Sequence, residues 1–320
     1  MPVRPNWIDL SFLSTEDIKN KNKRHQTLTL TNMFISLSSL CILISAPLIQ
    51  AQTVGVSQFG EHEYIEYIPG NLPIVLSSPH GGPKGNRQSD GTIGPTVTNI
   101  PERDCSGFGT SCRTINDYNT AVLTQAIVDS FFEKTGCYPH AVINQLARRK
   151  LDANREIEEA AMGNESAEIA FHEYHSFMET ARDRIRQDYS RGLFLGIHGH
   201  GHDERHIQVG YLIDENDLAL ANSELNSTRL VNKSSIKKLV SDNLQGLSHS
   251  ALLQGGQAFG TMLQNLGLTS IPSQQSPEPY MEISFFEGGY NLARYGSRNG
   301  GPLDGIQVEL HRTDRINSIY

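Results

Sequence analysis

The stretch "LFLGIHGHGHDERH" (193–206) sets His198, His200, His202 and His206 in one short segment, right after an apolar run, with Gly196, Gly199 and Gly201 between them. Neutral imidazole is the commonest protein metal ligand, and glycine lets backbone come close to whatever imidazoles hold. The chemistry suggested is metal binding at the end of a buried strand. Three more segments run from an apolar strand straight into chemistry: "SSPHGG" with His80, "LARRKLDANRE" with Arg148, Asp152, Asn154 and Arg155, and "QVELHR" with Glu309. In sheets of alternating strands and helices, ligands gather at the carboxyl ends of the strands. Four such junctions in the same relative position point to one site.

Each residue alone also has a plain structural account. His80 between Pro79 and Gly81 fits a turn that bonds to backbone. Arg148, Arg149 and Lys150 fit a solvated strand end, and Asp152 fits a helix cap. Glu309 fits surface alternation on an edge strand, and His200 and His202 fit solvent-facing positions. The set resists these accounts, because a buried strand end rich in charge is expensive unless its groups pair with one another or with a ligand.

The elements that must position these groups read as alternating strands and helices. "LPIVLSSPHGG" (72–82), "HAVINQLA" (140–147), "LFLGIHG" (193–199), "HIQVGYLI" (206–213) and "GIQVELHR" (305–312) are expected strands. Helical spacing runs over 115–136 and ends at Gly136. The charged run after Glu156 is expected to be helical with a break at Gly163, and 234–268 to form two helices around "QGGQAFG". A long Gly, Pro, Ser and Thr-rich loop fills 85–112, and loops of this length are usually functional or mobile. The expected fold is α/β: a single domain over 54–320 with a mixed central sheet and helices on both faces.

Residues 33–51, "MFISLSSLCILISAPLIQA", carry no charge and follow the basic run "KNKNKR" (19–24). That is the pattern of a secretory signal peptide, with residues 1–32 an upstream extension. The rival is an uncleaved signal anchor that tethers the chain to a membrane; the serines, Pro47 and Gln50 favour cleavage and a secreted protein. Asn164, Asn226 and Asn232 each begin an N-x-[ST] sequon, as surface glycosylation requires. Cys105 and Cys112 bracket a glycine-containing loop able to close as a disulfide, which leaves Cys137 over. The net charge of -8 argues against a nucleic-acid partner, since phosphate binding needs a basic face.

Taken in order, these segments resemble the N-formylglutamate amidohydrolase family, which shares its fold with zinc carboxypeptidases. "SPHGG" is similar to the family's first metal motif, and "RRKLDANR" to its R-x-x-x-D-x-N-R segment. "FHEYH" matches a helical motif, "GIHGHGH" resembles the D-x-H-[GS]-H strand end, and "IQVELHR" resembles the closing Q-[IV]-E segment. The resemblance covers roughly 70–315. Two positions depart from the pattern: Pro83 stands where carboxypeptidases place a ligand glutamate, and Gly196-Ile197 carries no acid before "HGH".

The resemblance implies one zinc ion held by His80, His198 and a carboxylate. That carboxylate is assigned to Asp117, at the first turn of the helix after the long loop, with Asp104 as its rival and His200 as the alternative to His198. It further implies Glu309 as general base, Arg148 as oxyanion partner, and Asn154 and Arg155 as readers of a substrate carboxylate. Tyr290 would close over the substrate, with Asp152 and His175 in support. The implied activity is hydrolysis of the amide bond in a small carboxylate-bearing substrate such as an N-acyl (N-formyl) amino acid. The alternatives are a non-catalytic binding protein on the same fold and a carboxypeptidase acting on peptide C-termini.

Overall fold

All eight strands of the chain's described part lie in one mixed sheet. The computed structural model describes residues 53–86, 91–109, 112–279 and 284–317. The expected extension and leader over 1–51 fall outside the described residues. The strands are β1 (Gln58–Phe59), β2 (Ile65–Ile68), β3 (Ile74–Ser78), β4 (His140–Asn144), β5 (Gly192–His200), β6 (Ile207–Gly210), β7 (Ser270–Ile271) and β8 (Leu303–His311). Their spatial order is β1-β2-β4-β3-β5-β8-β6-β7. β4, β3, β5 and β8 are consecutive parallel neighbours, whereas β2 joins β4 and β6 joins β8 in antiparallel fashion. The four segments singled out above therefore leave the sheet at one edge.

The central strands are buried along their whole length in β3, β4 and β8, which explains why they read as nearly continuous apolar runs. The sheet ends in two strands of only two residues each, β1 and β7, and short edges offer little template for pairing with another chain. Side chains alternate between two cores. Phe194 and Leu303 pack on one face with Phe171, Tyr174, Met178 and Ile185. Ile197, Ile306 and Val308 pack on the other with Leu123, Val209, Leu230 and Leu253. By the same alternation His198, Gln307 and Glu309 share the face of Phe194 and Leu303.

Helix α1 (Thr120–Thr135) ends where Gly136 adopts φ 71 and donates to the Phe132 carbonyl, a left-handed cap suited to glycine. Helix α2 (Ile157–Ala161) stops at Met162 and Gly163, with φ 52 and 71. Asn164 then caps α3 (Glu165–Tyr189) by accepting from the Ala167 N–H. The helix expected over 115–136 begins only at Thr120. Asn119 takes a left-handed φ of 68, so the preceding residues cannot join the helix, and Asp117 lies on irregular backbone ahead of it. The two helices expected over 234–268 are three short ones, Lys237–Asp242, His249–Gln254 and Phe259–Asn265. The break between the first two holds Gly246, at a left-handed φ of 63. Cys105 and Cys112 form a disulfide, and Cys137 has no disulfide partner among the described residues.

Candidate active site

Three side chains from three separate segments meet at the carboxyl edge of the sheet. His80 follows β3, Asp117 precedes α1, and His198 lies near the end of β5. All three are buried, and their donor atoms lie within 4.8 Å of one another. The Nδ1 atoms of His80 and His198 each approach Asp117 Oδ2 at 3.2 Å. The same oxygen accepts from the Gly199 N–H at 3.2 Å.

The donor chemistry fits a cation. His80 Nε2 sits 2.7 Å from Asp152 Oδ1, and Asp152 is fully buried. Burial opposes the charge of Asp152, but the Arg148 guanidinium and His80 hold its carboxyl well below the usual carboxylate range. An ionised carboxylate accepts only, so His80 must donate from Nε2. In a neutral imidazole that leaves the Nδ1 lone pair facing Asp117 Oδ2. Asp117 is ionised too: burial resists, yet His80, His198 and Arg148 hold its carboxyl well below the usual range. Two acceptors facing each other repel unless a proton or a cation lies between them. Two imidazoles and one carboxylate are a donor set that leaves a fourth position open in a catalytic zinc site.

Glu309 stands beside this group. It pairs in register with His198 across the β5–β8 ladder, and its Oε1 lies 4.0 Å from His198 Nδ1. Burial pushes its carboxyl up to about 7, Asp117 adds to the effect, and His198, Arg148 and a hydrogen bond from Gln307 oppose it. A carboxyl near neutrality is suited to taking and returning protons. Arg148 donates from Nε to Asp152 Oδ2 at 2.8 Å and lies 3.7 Å from Asp117 Oδ1. A guanidinium thus lines the site, anchored on two of its carboxylates.

Other expected residues are placed differently. Asp104 is exposed and caps the turn Cys105–Gly107 through the Ser106 N–H; the buried Asp117, not Asp104, joins the histidines. His200 donates from Nε2 to the His206 carbonyl and packs against His202, His206 and His311, so the structure groups His198 rather than His200 with Asp117. Burial pushes the His200 imidazole down to about 4, though the bond to the His206 carbonyl opposes this. His175 is a core residue: its ring packs on Phe171, Tyr290 and Tyr295, and burial lowers its imidazole to about 3. The Asn154 carboxamide oxygen accepts from the Asn291 N–H and so holds the segment bearing Tyr290. Arg155 is a quarter exposed, with Nε 3.2 Å from Glu159 Oε1 and Nη1 donating to the Asn154 carbonyl. Tyr290 accepts from Arg294 through its hydroxyl.

Two residues have no role assigned from the sequence. Gln307 donates to Glu309 Oε1 at 2.9 Å and accepts from the Gly289 N–H. It shares a strand face with Glu309, so period-two alternation was the available signal. Buried Arg103 donates to the carbonyls of Glu159, Arg113 and Arg148 and lies 3.8 Å from Asp152 Oδ2. Its sequence neighbour Asp104 drew attention in its place.

No protein-family profile matches the chain, and no curated protein matches it in sequence. Among solved structures, N-formylglutamate amidohydrolase from Ralstonia eutropha JMP134 is similar over 81% of this chain and 85% of that one, at 14% identity and a TM-score of 0.38. A gene product from Agrobacterium tumefaciens is similar over 82% and 90%, at 12% identity and a TM-score of 0.39. At this level of likeness, function must be argued from the site itself.

Proposed function

We propose that this protein is a zinc-dependent amidohydrolase that cleaves the amide bond of a small carboxylate-bearing substrate such as an N-acyl (N-formyl) amino acid. The observation that carries the reading is the convergence of His80 and His198 on Asp117 with Glu309 4.0 Å from His198. A divalent ion at this donor set supplies acidified water and a polarised carbonyl at neutral pH. Asp152 holds the His80 tautomer that turns Nδ1 toward that position. Glu309 takes the proton of the attacking water and returns it to the leaving amine. Arg148 balances the negative charge that develops on the carbonyl oxygen. Arg155 reads the substrate carboxylate, for which a guanidinium fork is matched in geometry.

The test has two steps. Elemental analysis of purified protein should find about one zinc per chain. The zinc-loaded protein should then release free amine from N-formyl and other N-acyl amino acids, and from small peptides if it acts as a carboxypeptidase. A protein that carries zinc and turns over none of these is a binding protein on the same fold.

We also propose that the chain is exported, with 33–51 as its leader. In support, Cys105 and Cys112 are joined, and disulfides persist in oxidising compartments. The sequon residues Asn226 and Asn232 are exposed, whereas Asn164 is half-buried in its capping role. Among the described residues, no helix is long and apolar enough to cross a membrane.

A further inference from the structure

Asp117 presents a problem that the ligand set alone does not answer. It lies on irregular backbone between a loop and α1, so the direction of its carboxylate depends on ties to other segments: its N–H donates to the His80 carbonyl and its Oδ2 accepts from the Gly199 N–H of β5, both at 3.2 Å. On one side its segment is tied by Asn116, whose side chain donates to the Gly82 carbonyl and accepts from the Arg148 N–H. A further tie comes from the far end of the chain.

Arg315 lies in the short helix Arg312–Asn317 that follows β8, and its side chain is buried. Its Nη1 donates to the carbonyl of Tyr118 at 2.8 Å, and its Nη2 donates to the carbonyl of His200 at 3.0 Å. Tyr118 is the residue after Asp117, and His200 ends the strand that carries His198. One planar group therefore joins the backbone of the carboxylate segment to the backbone of the imidazole strand. A buried guanidinium is costly unless its donors are met, and among the described residues these two backbone carbonyls are the acceptors that meet them.

A second observation concerns Gly199. A Cβ at this position would lie 2.3 Å from Arg315 Cζ and Nη1 and 2.6 Å from Nε. The guanidinium is seated against the bare α-carbon between His198 and His200. A side chain here could not coexist with the arginine in this seat, and since the φ of Gly199 is not in the left-handed range, the close approach rather than the backbone is what favours glycine. Two features far apart in sequence, a glycine between histidines and an arginine after the last strand, thus make one contact.

We propose that Arg315 is a positioning residue for the metal centre: its guanidinium, seated on Gly199, clamps the Asp117 segment to the end of β5 and so holds the Asp117 carboxylate between His80 and His198. This rests on the metal reading above. Lysine at 315 keeps the charge but has one ammonium, which cannot span two carbonyls as a fork does. Alanine at 199 leaves Arg315 intact and displaces it from its seat. Both changes break the same clamp by different means.

The test is zinc affinity by chelator competition on wild type, Arg315→Lys, Gly199→Ala and the double variant, with circular dichroism to confirm folding. Each single variant should lose about 10- to 100-fold in affinity, the usual effect of removing a group that orients a ligand. The double variant should lose no more than the worse single one, because a broken clamp cannot be broken twice. If Arg315→Lys fails to fold, Gly199→Ala carries the test. Should Gly199→Ala fail as well, the rise in Tm on adding zinc to the residual folded fraction decides: a smaller rise than in wild type supports the clamp, an equal rise overturns it. Folded variants that bind zinc within about threefold of wild type overturn the clamp alone, and so does a double variant whose losses multiply. Wild-type protein that binds no zinc overturns the metal reading, and the clamp with it.

Discussion

His198 and Glu309 are register partners on adjacent parallel strands, and their side chains point to the same face with 4.0 Å between Nδ1 and Oε1. The ladder thus delivers a metal-ligand candidate and a base candidate side by side, with no loop to adjust. Glu309→Gln keeps the shape and removes the base. It should retain zinc and bind substrate, with kcat lower by roughly 100-fold or more. Turnover at the wild-type rate would mean that hydrolysis does not pass through Glu309.

The pH profile should carry the mark of the same residue. Burial raises the Glu309 carboxyl to about 7, and a base works only when ionised. Activity should therefore rise with pH through the folded-state pKa and be lost below it. A bound cation pulls that value down, so the acid limb should fall between the ordinary glutamate value near 4.3 and about 7. The hydrogen bond from Gln307 stabilises the ionised form. Gln307→Leu should move the acid limb to higher pH, and kcat/KM against pH measures the shift. An unmoved limb would show that another group sets it.

Much of this architecture was legible, and the omissions have physical causes. Strands β3, β4 and β8 announce themselves because strands buried on both faces leave long apolar runs. That they and β5 are parallel neighbours is a property of chain crossings, which local pattern does not encode. Asp117 was found, but as a helical residue, because helical spacing does not reveal the left-handed turn at Asn119. Arg103 and Arg315 left no pattern, since both bond mainly to backbone carbonyls, and carbonyls are present at every residue. For Asn154 the motif suggests a ligand contact and gives no sign of its second task, accepting from the Asn291 N–H through its carboxamide oxygen.

Metal analysis should separate the histidines. His80→Ala and His198→Ala each remove one of three donors and should leave the purified protein with little zinc. His200→Ala should keep its zinc, because the His200 ring is turned to the His206 carbonyl and to its neighbouring histidines. Asp152→Asn should lie between, with affinity down about 10- to 100-fold through the lost hold on His80. Full zinc in both His80→Ala and His198→Ala would remove this group from consideration.

Export has a direct test. Secreting cells given the full chain should place it in the medium, with its N-terminus beyond residue 51 and a mass that falls on enzymatic deglycosylation. Asn226→Gln and Asn232→Gln should each remove part of that mass, as both residues are exposed. Chain kept in the cytosol with 33–51 intact would refute the leader, and cleaved chain held at a membrane would refute free secretion.

On the function proposed above, Arg155 decides what the substrate must carry. Its guanidinium is a quarter exposed and already engaged by Glu159 at 3.2 Å, so a substrate carboxylate would share or displace that partner. Arg155→Lys keeps the charge and loses the fork. A lost charged hydrogen bond is worth about 1.5–3 kcal/mol, so KM for carboxylate substrates should rise about 10- to 100-fold. Because the contact is made equally before and during reaction, kcat should hardly change. Amidated analogues lack the carboxylate and should be unaffected. Glu159→Gln, which removes the competing charge, should lower KM for the same carboxylate substrates. If Arg155→Lys affects acids and amides alike, Arg155 serves only as the partner of Glu159, and the group that reads the substrate carboxylate lies elsewhere in the site.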